Sequence, residues 1–111
     1  MSYIILRSDP MARSVKCALI QIAKLSAKLA NDEQFRKKFV TIIGDTQTGT
    51  NKRVLQMRAL LRSAGFKSPT RVRILNDLGE TPKTIISYDA VDPVSQSGVT
   101  TSFTYQLNPG P

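Results

Sequence analysis

Up to residue 64 the apolar positions recur with the period of a helix, and after Pro69 they alternate as in a strand. Met11, Val15, Ala18, Leu19, Ile22, Leu25 and Leu29 fall on one face of a first helix running from Pro10 to about Ala30, with Arg13, Lys16, Lys24 and Lys28 on the other side. Asp9 before Pro10 supplies an N-cap acceptor and then a proline at the first helical position, where the missing N–H costs nothing. Asn31-Asp32 punctuates the chain and recaps a second helix, with Glu33 in its first turn, Phe35, Phe39, Val40 and Ile43 as apolar contacts, and Gly44 as its stop. Residues 44–51 form a polar loop of turn residues. A third helix from about Thr50 to Ala64 carries Val54, Leu55, Met57, Leu60 and Leu61 among Lys52, Arg53, Arg58 and Arg62, and ends at Gly65.

Beyond the break, Val72 and Ile74 alternate with Arg71 and Arg73, and the segment 78–82 predicts a hairpin connection to a returning strand from Lys83 to Tyr88. Asp92-Pro93 and Ser97-Gly98 bracket a loop. Thr101, Phe103, Tyr105 and Leu107 then share one face of a last strand, with Thr100, Ser102, Thr104 and Gln106 on the other. Residues 2–7 are short and β-branched enough for a strand before the first helix. The expectation is an α+β fold: an N-terminal strand, a three-helix basic half (10–64), then a three-stranded antiparallel sheet (69–107) and a tail (108–111). With 111 residues, no repeat and no long linker, the chain reads as one domain.

Charge adds an asymmetry to this plan. Residues 1–68 hold thirteen Lys and Arg against four acids, residues 69–111 three against four, within a net charge of +8. In the helical segment 10–64 there are eleven bases and three acids, too few for neutralisation by i, i+4 pairs. A positive field of this kind points to an acidic partner, either nucleic acid (DNA or RNA) or an acidic protein surface. The candidate binding residues are Arg36, Lys37, Lys38, Lys52, Arg53, Arg58, Arg62, Arg71 and Arg73.

Chemistry that an enzyme would need is missing. There is no histidine, which removes the commonest general base and both Ser-His and Cys-His nucleophiles. Asp9, Asp32 and Asp45 fall at caps or turns, Glu33 in a helix's first turn, and Asp77, Glu80, Asp89 and Asp92 beside sheet turns, all ordinary structural places for carboxylates. One cysteine, Cys17, and scattered acids make no zinc site or calcium loop. Gly44 and Gly49 have the glycine spacing of a phosphate loop, but Thr50-Asn51 replaces its Lys and Ser or Thr. No enzyme activity, metal or cofactor is expected.

The single cysteine suits a reducing compartment, residues 3–6 are too short for a signal-peptide core, and no apolar run approaches the roughly 20 residues of a membrane span. A cytoplasmic or virion-internal protein without membrane contact is expected. The order helix, helix, helix, hairpin is similar to that of winged-helix DNA-binding domains, an analogy of topology. It implies that Lys52, Arg53, Arg58 and Arg62 approach bases or phosphates, with Arg71, Arg73 and Lys83 on a wing. The longer 44–50 connection and the preceding strand depart from that pattern. The first reading is therefore a non-enzymatic nucleic-acid-binding protein using its helical half. The alternative is a structural or linker subunit of a homo-oligomer or larger assembly, such as a virus particle or other multiprotein complex, binding acidic protein surfaces. That reading rests on the apolar spread of the third helix, on Ile20 on the polar side of the first, and on a C-terminal strand suited to subunit contacts.

Overall fold

A computed structural model describes residues 13–76 and 81–107. Seven elements follow in order: β1 (Arg13–Ser14), α1 (Val15–Asn31), α2 (Glu33–Gly44), α3 (Thr50–Ser63), β2 (Arg71–Leu75), β3 (Lys83–Val91) and β4 (Gly98–Gln106). The fold is α+β, three helices followed by an antiparallel sheet. The expected strand over residues 2–7, the Asp9-Pro10 cap, most of the 78–82 connection and the tail lie outside the described residues.

The first helix begins later than its periodicity predicts. Arg13 and Ser14 are extended and pair in parallel with Ala90 and Val91, and Ser14 caps α1 by accepting from the Cys17 N–H at 3.1 Å. Serine is as good an N-cap as aspartate, and pairing with the end of β3 gives these two residues partners that a helical turn would forgo. Asp32 both ends α1, its N–H donating to the Lys28 carbonyl, and starts α2, its carboxylate accepting from the Phe35 N–H at 3.0 Å. At the end of α3, Gly65 takes φ +89° while its N–H reaches the Arg62 carbonyl and that of Phe66 reaches the Leu61 carbonyl. This double closure needs a left-handed residue, hence glycine, and it turns Phe66 into the core beside Leu61.

β3 is the central strand. β4 pairs antiparallel along its whole length, Lys83 opposite Gln106 through Val91 opposite Gly98. The other edge is shared, β2 pairing antiparallel with residues 83–87 and β1 with Ala90 and Val91. β3 thus runs three residues past the expected Tyr88, which places Asp89 inside a strand, where it accepts from the Thr100 hydroxyl. Since successive side chains alternate across a sheet, Val72, Ile86, Tyr88, Ala90 and the half-buried Phe103 and Tyr105 join the core with residues of all three helices. Phe39, fully buried, meets Tyr105 edge-on at 5.4 Å, and Phe35 lies between Phe39 and Phe66. β2 and β3 are therefore neighbouring strands of a sheet packed under helices, and not the projecting wing that the winged-helix analogy implies.

Candidate nucleic-acid interface

Three of the nine candidate cations are committed to the fold. Arg53 is only 3% exposed. It lies four and eight residues before Met57 and Leu61, on the buried stripe of α3, and its Nη1 donates to the carbonyls of Ile43 at 3.0 Å and Ile42 at 3.5 Å. These belong to the last turn of α2, where a cation offsets the helix dipole and satisfies orphan acceptors. With the Asn76 amide oriented to present its oxygen, Nη2 also donates to it at 3.3 Å, while Nε is buried without a partner. Arg36 donates to the Leu29 carbonyl at 2.9 Å, closing the end of α1. Arg58 grips the lead-in to β2, donating to the carbonyls of Pro69 at 2.9 Å and Thr70 at 3.4 Å.

The remaining six divide between two surfaces. Lys37, Lys38, Lys52 and Arg62 are exposed on the outer side of the helical layer. Lys37 and Lys38 line a groove of about 710 Å³ between α2 and α3, floored by Ile42, Ala59 and Leu60. Only Lys37 of these four meets a carboxylate among the described residues, Glu33 at 3.0 Å. Arg71 and Arg73 are exposed on the opposite face of the sheet, opposite Ser87 and Ile85 of β3, a face that no helix covers among the described residues. One flat partner cannot touch both groups at once.

The helical cations outside the predicted set are partly engaged. Lys28 pairs with Asp32 at 2.8 Å and lies over the Phe35 ring, while Lys24 lies over Phe66. The hydrogen bond from Lys28, with that from the Phe35 N–H, holds the Asp32 carboxyl below its ordinary pKa. Asp45 is lowered too, first by the Thr48 hydroxyl and then by the Gln47 N–H. This carboxylate accepts from the N–H groups of Gln47 and Thr48, two of the donors that the polar loop could offer an anion. Among the described residues no three or more His, Cys, Asp or Glu group together as for a metal ion, and no helix is long and apolar enough to cross a membrane.

Compared with known proteins, the chain matches no protein-family model, no curated protein and no solved structure.

Proposed function

We propose that the protein is a non-enzymatic basic binding module that contacts nucleic acid through the outer surface of α2 and α3. The supporting observation is the imbalance on that surface: among the described residues Lys38, Lys52 and Arg62 have no carboxylate within 4 Å, and only two ion pairs form in all. Long cationic side chains that are neither buried nor paired keep their hydration and freedom until a polyanion arrives. Phosphate binding then releases condensed counterions, giving an affinity that falls steeply with salt and depends little on sequence. Arg53, Arg58 and Arg36 serve this surface indirectly, by fixing α2, α3 and the α1 terminus beneath it. The open edge of β4 favours a second reading, a subunit of a larger assembly that uses its C-terminal strand for contacts.

The test is fluorescence anisotropy of a labelled mixed-sequence duplex, and of an RNA strand, against the wild type and a Lys38→Gln, Lys52→Gln, Arg62→Gln triple variant. The triple variant is expected to bind more weakly with an unchanged melting temperature. Equal affinity for both proteins would remove the assignment of this surface.

A further inference from the structure

We infer that the open edge of β4 pairs antiparallel with β4 of a second copy of this chain, about a twofold axis at Ser102. The strand is nine residues long, regularly paired with β3 on one side, and has no described partner on the other. It contains no charged residue, no proline and no bulge, the devices by which edge strands avoid pairing with other chains.

The existing ladder fixes the register. At its two ends, the Asp92 N–H donates to Ser97 O and the Leu107 N–H to Pro82 O, both at 3.0 Å. Hydrogen-bonded and non-bonded pairs alternate in an antiparallel ladder. The odd-numbered residues of β4 therefore turn their N–H and C=O groups toward β3, and the even-numbered ones, from Gly98 to Gln106, turn theirs to the open edge. Full overlap of two nine-residue strands centres the axis on Ser102, which faces its own copy in a hydrogen-bonded pair. Thr100 is then opposite Thr104 of the second copy, and all the outward groups find partners, about ten hydrogen bonds in all.

Side-chain chemistry matches under the same operation, and that selects a second copy as the occupant. On the bare face, hydroxyl meets hydroxyl at Ser102 with Ser102 and Thr100 with Thr104. On the helical face, Thr101 meets Phe103, and Val99, 37% exposed, meets Tyr105, which lines a groove of about 560 Å³ with Val40, Thr41, Arg36 and Lys37. Further apolar surface lies on this side. Leu19, 52% exposed, belongs to α1, which packs against β4. A chain of net charge +8 meets itself here at an uncharged strip. Salt, by screening the remaining repulsion, is expected to tighten the dimer while it weakens nucleic-acid binding, so either inference can fail alone.

Sedimentation of the full chain over a concentration series, at low and high salt, is the first experiment. A dimer favoured by salt is expected. Thr104→Pro, which removes an outward N–H and no bond to β3, is expected to weaken it roughly thirtyfold by deleting two hydrogen bonds per dimer. Should that variant fail to fold, cross-linking decides with Cys17 replaced by Ser: Ser102→Cys is expected to form an intermolecular disulfide and Thr100→Cys is not, because only the first faces its own copy. A monomer at every concentration overturns the inference, as does equal cross-linking at both positions. So does a monomer whose Ser102 and Thr104 amides resist hydrogen exchange, since the edge would then be covered by another part of the same chain.

Discussion

The Arg53 guanidinium stands among carbonyls, not carboxylates, and its loss would free the last turn of α2 as well as empty space under α3. Arg53→Ala is expected to lower stability by about 2–3 kcal/mol, read as a lower denaturant midpoint at unchanged slope, without changing the salt dependence of nucleic-acid binding. Exposed Lys52, its neighbour in sequence, is expected to behave in the opposite way. Composition and helical position treat the two alike, because both are basic. Yet the i, i+4, i+8 series of Arg53, Met57 and Leu61 is readable in the chain and places Arg53 on the apolar stripe. The roles of Arg36 and Arg58 are not readable there, since their acceptors depend on how separate elements meet. Titration gives a second residue-level expectation. Asp32 and Asp45 release protons more readily in the folded chain, so their stabilisation is complete above the unfolded value of about 3.9 and is lost as pH falls toward the lower folded values. With no histidine, the denaturant midpoint is expected to stay level from about pH 5 to 8 and to drop below about pH 4; a transition centred in the level range would contradict this.

Element boundaries are legible where a side chain or a special backbone conformation sets them. Gly44 is only the last helical residue of α2, with Asp45 as C-cap and no left-handed φ, whereas Asp32 starts the helix as predicted, because a capping carboxylate acts within a few residues of itself. Gly65 is similar, and Gly65→Ala is expected to cost about 1–2 kcal/mol for forcing a Cβ into the left-handed region, measured by thermal melting; an unchanged midpoint would mean that the α3 closure relaxes. The start of α1 is less legible. Asp9-Pro10 and Ser14 are both acceptable signals, and the choice at Ser14 is made by pairing with β3, a partner 77 positions along the chain. Strand order is likewise beyond local pattern. Alternation identifies the faces of β4 correctly, but only the register shows that its even-numbered backbone groups face outward.

At the scale of the whole molecule, one layer of helices on one face of the sheet separates the exposed cations into two groups. Net charge alone would treat Arg71 and Arg73 as equivalent to Lys38, Lys52 and Arg62. The fold does not, because they lie on opposite sides. The proposed binding surface therefore carries an expectation that composition cannot supply: neutralising the sheet pair should matter much less than neutralising the helical three. The measurement that tests this most directly is the slope of log affinity against log salt for a mixed-sequence duplex. It would compare the wild type, the Lys38→Gln, Lys52→Gln, Arg62→Gln variant and an Arg71→Gln, Arg73→Gln variant. The helical variant is expected to flatten the slope by about 0.9 for each phosphate it no longer neutralises, with the sheet variant close to wild type. Equal slopes for the wild type and the helical variant, or a larger change in the sheet variant, would contradict the assignment of nucleic-acid binding to the helical face.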